Sequence, residues 1–562
     1  MSASIWNPGS PIPAGLVTVA DLSSTDNVAK GAGQVGYSAA LAYAAGTVGA
    51  KLREVVSVKD APFNATGDGV TDDYTAIQAA IDSLDPNVGG VVEFPPGRYI
   101  VGATIAITRN NVTLRGQRGA VIKQKDNMPV PGWPPIIDGR GSMIAAFQKR
   151  NITFENLTLD GNKANNDIND NYGNGINIYD CQRVTVRGCH LFGFARDGIT
   201  VSDYTRLDAA ALGNEDIIIE GNLITDCRAP SQTTGGEGII VVQGNQVVIA
   251  NNILAANWRG IEIETLPTTG LYRGCVNLTV TGNICLNNEY GGIGVNGASQ
   301  LTLTGNICAG AAQYGIRINN STAITASEIV VSGNRIKGAT TAGLTAENYE
   351  QLQLLGNHIQ SCTIGLLMSG VKDITVQNNV VSGSLQHGVQ FTAGTNQNVI
   401  FTGNLIRASG QTTANTYDNL TGNAVYCVLS GNRLDGASAR YGINAAGSSW
   451  TIIGNALDNS GTTGLINDTT SGGGARIRNN GGYITEAVGT ATINSGSTSV
   501  VVNHGCSKTP GLGSITVTLG ENPTNTAGDV WISSIGATQF TINCRNNPGA
   551  SNLDVGWKVL II

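Results

Sequence analysis

The sequence predicts an all-β solenoid, and three observations carry that prediction. An alternating apolar strand closing on Gly-Asn or a near variant occurs eleven times, from IIIEGN ending at Asn222 to ARIRNN ending at Asn480, at intervals of 22 to 31 residues. A second short strand introduced by Gly recurs between these copies: GITV from Gly198, GIIV from Gly238, GIEI from Gly260, GIGV from Gly292 and GIRI from Gly315. Composition agrees, with Gly at 75 of 562 residues and charged residues at 13%, where about 25% is usual. Two or three short strands per repeat describe a coil whose inward residues stack into aliphatic columns, with Asn bonding along the turns and Gly at the corners. A propeller needs four strands in about 40 residues, which this spacing does not hold.

Along the chain, Gly36 to Val55 carries a stripe of Ala, Leu, Tyr and Val that predicts a short helix able to pack against copies of itself. Weaker repeats begin near VTLRGQ at Gly116, continue through ITFENL and VTVRGC, and the series stops near Asn480. Beyond it, SVVVNH, SITVTL, DVWISS and FTINC read as strands separated by turn residues. The predicted divisions are 1–58, an attachment segment with the neck helix; 59–484, the coil; and 485–562, a terminal β domain.

A net charge of −7 argues against bulk nucleic acid as a partner, because neutralising phosphates takes clustered Lys and Arg. No run of 18 apolar residues occurs, so no membrane insertion is expected, and no signal-peptide pattern is present. The ten cysteines form no CxxC spacing and read as buried thiols, with Cys285 and Cys308 stacked in successive repeats, which suits synthesis in a reducing cytoplasm. DGNKANNDINDN from Asp160, holding Asp167 and Asp170, lacks the Gly and terminal Glu of an EF-hand loop and reads as a polar insertion. No cofactor and no metal site are expected. The histidines, His387 among them, are scattered without a triad arrangement, and His387 reads as a surface residue.

Phe63 to Val101, with GDGVTDD leading into a helix over about 73–84 and GGVVEFPPGRY forming a first coil, resembles the opening of the pectate-lyase-like parallel β-helix of bacteriophage tailspikes and some polysaccharide-degrading enzymes. Asp68, Asp72 and Asp73 then read as helix caps. IWNPGSPIPAG from Ile5 is similar to particle-attachment segments of tailspikes, and ENPTN from Glu521 with WISSIGATQFTINCRNNPGAS from Trp531 resembles a terminal β-sandwich of tail fibres. The resemblance implies an all-β, right-handed parallel β-helix with a short N-terminal helical neck and a C-terminal β-sandwich-like domain. It also implies a virion-attached homotrimer, joined to a phage tail or baseplate protein through its N-terminus, that binds and depolymerises a bacterial surface polysaccharide (capsule or O-antigen).

Glycoside cleavage ordinarily uses two carboxyl groups, so the repeats were aligned on the Gly before the second strand. The residues preceding it are Asn174, Asp197, Glu237, Arg259, Gly291 and Tyr314, which puts Asp197 and Glu237 on adjacent rungs about 4.8 Å apart. Like charges so close raise at least one pKa. Two residues after the Gly the outward column reads Asn177, Thr200, Ile240, Glu262, Gly294, Arg317, and four after it reads Tyr179, Ser202, Val242, Glu264, Asn296, Asn319. Glu262 and Glu264 thus share one strand face about 6.5–7 Å apart, and Gly294 leaves a gap between Glu262 and Arg317. The catalytic candidates are Glu237, Glu262, Glu264 and Asp197. The substrate-binding candidates are Trp258, Arg259, Tyr290, Tyr314, Arg317 and Asp203, with Tyr272 nearby; the rings offer apolar faces to sugars. Endo-acting glycoside hydrolysis is the leading expectation. The alternatives are a polysaccharide lyase working by β-elimination, a non-cleaving receptor-binding spike, a secreted glycan enzyme, and an acidic cluster that is only a solvated face with surface ion pairs.

Overall fold

The computed structural model describes residues 55–128, 141–166, 172–202, 213–228, 235–265, 274–320, 327–392, 395–436, 438–457, 459–472, 474–520 and 527–561. A right-handed parallel β-helix occupies most of them. One coil consists of Ile199–Ser202, Glu215–Glu220 and Leu223–Thr225, and the next repeats these strands as Ile239–Val241, Gly244–Ala250 and Ile253–Ala255. Corresponding strands pair in parallel and in register from coil to coil.

The alternation seen in the sequence sets which residues face inward. Ile199, Ile239, Ile261, Ile293 and Ile316 stack as one column, and Val241, Ile263, Val295 and Ile318 as another, all within the core. Each such side chain contributes about 2 kcal/mol by leaving water, and the same pleat turns residues 262, 264, 294 and 317 outward. The Gly before each strand is required by close approach: a Cβ on Gly260 would stand 2.6 Å from the carbonyl oxygen of Gly292 and 2.7 Å from Cys285 Sγ.

The Asn that ends each repeat lies inside. From Asn222 to Asn480 each is buried, and from Asn222 to Asn455 each donates its Nδ2 to the Oδ1 of the next, with Asn283 to Asn306 and Asn306 to Asn334 both at 3.0 Å. The same Oδ1 also accepts the backbone N–H of the preceding Asn. These bonds satisfy the buried turn that closes each coil. Cys285 pairs in register with Cys308, and all ten cysteines are free and buried; burial pushes the Cys181 and Cys189 thiols up to about 12.

Three expectations change. The coil starts earlier than residue 59, because Val55–Ser57 already pairs with Val91–Glu93. The helix runs Tyr74–Asp82 with Asp73 at its N-cap position, yet Asp73 makes no side-chain cap bond. Its carboxylate instead accepts from Thr66 N at 2.7 Å and Gly67 N at 3.1 Å, tying down the preceding turn, while Asp72 Oδ1 accepts from Tyr74 N at 3.2 Å. His387 is half-buried rather than on the surface: Asp418 N donates to its Nδ1 at 3.0 Å and its ring packs on Tyr417. Burial lowers its pKa. After the coil, six strands between Glu486 and Leu560 form two three-stranded antiparallel sheets around Phe540, Ile542, Leu553 and Val555. The neck helix before Val55, Asp167, Asp170 and the ENPTN segment lie outside the described residues.

Candidate active site

Three consecutive coils build the site. Strands Arg259–Glu264, Gly291–Asn296 and Tyr314–Asn319 pair so that Arg259, Gly291 and Tyr314 fall in one row, Glu262, Gly294 and Arg317 in a second, and Glu264, Asn296 and Asn319 in a third. Gly at two of these nine positions hollows the face. A pocket of about 190 Å³ lies there, lined by Arg259, Glu262, Glu264, Tyr290, Gly294, Asn296, Tyr314, Arg317 and Asn319.

Glu262 is outward-facing but only 6% exposed, so it is not a solvated surface carboxylate. Its Oε1 lies 3.3 Å from Arg259 Nη1, and its Oε2 is buried without a hydrogen-bond partner. Burial raises its pKa from 4.5 to about 7, Arg259 opposing the rise and Glu264 adding to it. Glu264, two residues along on the same face, is half-buried on the pocket wall. One carboxyl thus holds a proton near neutrality while a second stands half-buried on the same pocket wall.

Glu237 and Asp197 form the other half of the acidic cluster, behind Arg259. The same Arg259 Nη1 that meets Glu262 lies 3.4 Å from Glu237 Oε1, so one guanidinium nitrogen joins the two carboxyl groups. Asp197 Oδ1 accepts from Glu237 N at 3.1 Å and Gly236 N at 3.3 Å, and its Oδ2 lies 3.6 Å from Arg196 Nε. Burial holds Glu237 well above its ordinary range, and Asp197 adds to this both as a like charge and as a hydrogen-bond partner. Neither Glu237 nor Asp197 lines the pocket.

The rings stand in a row, Trp258 to Tyr290 at 5.1 Å between centroids and Tyr290 to Tyr314 at 5.9 Å. Guanidinium groups lie over them: Arg228 over Trp258 at 4.2 Å, Arg259 over Tyr290 at 4.6 Å and Arg317 over Tyr314 at 5.2 Å. The rings therefore steer the arginines that meet the carboxyl groups, and Tyr290 and Tyr314 also wall the pocket. Arg317 donates from Nη1 to the Tyr290 hydroxyl at 3.0 Å and meets Glu347 Oε2 from Nη2 at 2.9 Å.

The structure brings Asp197, Glu237, Arg259, Glu262, Glu264, Trp258, Tyr290, Tyr314 and Arg317 into one cluster, whereas Asp203 and Tyr272 lie outside the described residues. Sequence reasoning missed Glu347, the partner of Arg317. It sits one rung beyond Asn319 in the same outward column, so reading the register one repeat further finds it. A second polar cluster farther along the coil was also missed: buried Asp418 meets Arg440 Nη2 at 2.8 Å and Asn444 Nδ2 at 3.0 Å. It carries no carboxyl pair.

Comparison with known proteins follows the coil. The family model described as right handed beta helix region matches residues 148–328, 265–368 and 291–457, together more than half of the chain. Mannuronan C5-epimerase AlgE6 of Azotobacter vinelandii is 38% identical over 151 residues, 25% of this chain and 17% of that protein. The pre-neck appendage protein of Bacillus phage phi29 is 30% identical over 230 residues, 37% of this chain and 24% of that protein. The matches thus span a quarter or less of these curated relatives. Among solved structures, the Dettilon tailspike protein aligns over 93% of this chain and 98% of its own with a TM-score of 0.51 at 14% identity. The tailspike of Escherichia coli bacteriophage HK620, solved with a pentasaccharide, aligns over 91% and 95% with a TM-score of 0.51 at 13% identity, a likeness of fold. With the repeats, the register and the family match in agreement, the chain belongs to the right-handed β-helix family.

Proposed function

We propose that the protein is a phage tailspike-type depolymerase that hydrolyses glycosidic bonds within a bacterial surface polysaccharide. The observation that carries this reading is Glu262, a carboxyl group raised to about 7 on the wall of a pocket that it shares with half-buried Glu264. Glu262 is assigned as the general acid that protonates the leaving oxygen, and Glu264 as the base that takes a proton from the attacking water. They stand two residues apart on one strand and share the pocket wall, so one carboxyl can meet the leaving oxygen while the other meets a water. Arg259 positions Glu262 and ties it to the Asp197–Glu237 pair behind. The similarity to a phage appendage protein and the fold shared with tailspikes, one of them solved with a pentasaccharide, support attachment to a virion with the polysaccharide as receptor.

A second reading, β-elimination from a uronate sugar, is favoured by the Tyr290 hydroxyl bound to Arg317 on the pocket wall, a phenol beside a cation. Matches to Azotobacter vinelandii proteins named mannuronan C5-epimerase and alginate lyase fit that chemistry. The deciding experiment is mass spectrometry and UV absorbance on the products from a host polysaccharide. Fragments that gain one water without a new UV band, lost on E262Q or E264Q substitution, are expected. Unsaturated fragments would replace hydrolysis with elimination, and an intact but bound polymer would leave a receptor-binding spike.

A further inference from the structure

The outward row that holds Glu262, Gly294 and Arg317 does not end at the pocket. In register it continues through Thr345, Leu367, Gln390, Thr421, Asn444 and Asn467. Thr345 and Leu367 carry no charge, and each of the four rungs beyond them carries an amide or a hydroxyl. Asn444 stands five rungs past Arg317, about 24 Å along the coil. A polymer leaving the pocket along this row therefore meets a second polar patch.

That patch is built on a buried acid. Asp418 is wholly removed from solvent and accepts from Arg440 Nε at 3.0 Å and Nη2 at 2.8 Å, from Tyr441 N at 3.2 Å and from Asn444 Nδ2 at 3.0 Å. Asn444 Nδ2 also donates to Thr421 Oγ1 at 3.1 Å, and its Oδ1 accepts from Asn467 Nδ2 at 2.9 Å. One carboxylate thus fixes a surface amide and a guanidinium in place before any ligand arrives, which lowers the ordering cost of binding. Among the described residues, Asn467 Oδ1 and the Gln390 amide have no protein partner. Amides both donate and accept, as sugar hydroxyls do. Tyr441 adds a ring, with the Arg440 guanidinium 5.1 Å from its centre. Its neighbour on the next rung is Gly464, where a Cβ would lie 3.6 Å from ring carbons Cδ1 and Cε1, so the glycine leaves that flank of the ring uncovered. An open aromatic flank beside fixed amides suits the apolar face and polar edge of a sugar.

We infer that Gln390, Tyr441, Asn444 and Asn467 form a distal glycan-binding site that grips the same polysaccharide chain as the pocket, an assignment that rests on the proposed polysaccharide substrate. A long chain held at both places gains affinity that a fragment filling the pocket alone does not.

The test compares chain lengths. An array of purified capsule and O-antigen polysaccharides identifies a polymer bound by the full chain carrying E264Q, and that polymer and its fragments of one repeating unit are the probes. Asn444→Ala and Gly464→Leu are then added to E264Q; the first removes a polar contact, and the second keeps every bond of Asp418 while covering the Tyr441 flank. The expected result is a Kd for the polymer raised about tenfold in each variant, with the Kd for the fragment as in E264Q alone. The inference is overturned if Gly464→Leu binds the polymer as tightly as E264Q does, or if polymer and fragment lose affinity equally. Unsaturated products from the wild-type chain would replace hydrolysis with elimination and leave the distal site standing, whereas binding to no polysaccharide removes both.

Discussion

The carboxyl group of Glu262 occupies the space that a side chain at residue 294 would fill. A Cβ built on Gly294 would lie 2.8 Å from Glu262 Cδ and closer still to its Oε2. The two residues face each other across adjacent rungs, so the glycine sets where the acid sits.

Gly294→Ala therefore tests position apart from chemistry. Residue 294 is not among the glycines held at positive φ, so Ala fits the backbone and only the glutamate end must move. The variant should melt within a few degrees of wild type, yet lose about 10²-fold in kcat because the acid is displaced by an ångström or more. Unchanged depolymerisation by a folded Gly294→Ala variant would show that the Glu262 position is not critical.

The pH profile should report Glu262. A general acid works protonated, so with its carboxyl at about 7 the rate should fall about tenfold per unit above that value. Glu262→Gln should cost about 10²–10⁴-fold and remove this limb. Stability should follow the same proton. The folded state keeps it where the unfolded chain, near 4.5, has released it, so raising the pH from about 4.5 to about 7 should lower Tm, with no further change from this group above. Glu237, raised by burial and by Asp197, acts in the same direction. Melting curves of Glu262→Gln should show a shallower slope; a wild-type Tm that rises across the window would contradict protonated carboxyls.

Arg259 opposes the pKa rise at both Glu237 and Glu262. Replacing it by Met should let both carboxyls hold their protons to higher pH, moving the alkaline limb up by about one unit. Because Arg259 is 23% exposed in its ion pairs, and the acids can neutralise themselves, the loss of stability should be modest, about 1–2 kcal/mol. A limb that moves to lower pH in Arg259→Met would show that the arginine does not act on the acid by charge.

Much of the fold was legible because each inward column has a one-letter rule. Alternating Ile and Val, Gly before the strand and Asn at its end recur often enough to fix the register from Asn222 to Asn480, and with it the rows that carry Glu262, Gly294 and Arg317. The same register placed Asp197 beside Glu237. Less legible was how side chains settle on the face. Column arithmetic leaves a gap at Gly294, but a flexible glutamate bends into it. Trp258, Tyr290 and Tyr314 read as sugar platforms, yet guanidinium groups of arginines three residues or one repeat away lie over them at 4.2 to 5.2 Å, a favourable place for a flat cation. Asp73 misled for a local reason: it occupies the cap position, but its carboxylate accepts from the Thr66 and Gly67 backbone N–H groups and makes no bond to the helix.

The asparagine ladder predicts where the coil is most sensitive. Asn306 Oδ1 accepts from Asn283 N and Nδ2, and its Nδ2 donates to Asn334 Oδ1 at 3.0 Å and Val280 O at 2.9 Å. Asn306→Ala would leave the Asn283 backbone N–H without its acceptor and take its side-chain donor from the Val280 carbonyl oxygen, both in a buried turn. Each such group costs about 1–3 kcal/mol, so a loss of about 2–4 kcal/mol in denaturant unfolding is expected. Asn480 closes the series: its Oδ1 still accepts from Asn455, but its Nδ2 donates only to Ile452 O, with no further asparagine beyond. Asn480→Ala should therefore cost less, since its absence disturbs one neighbouring asparagine instead of two and the last coil has the freedom to rearrange. Equal losses at the two positions would show that the ladder acts as independent turn bonds with no added demand on an interior rung.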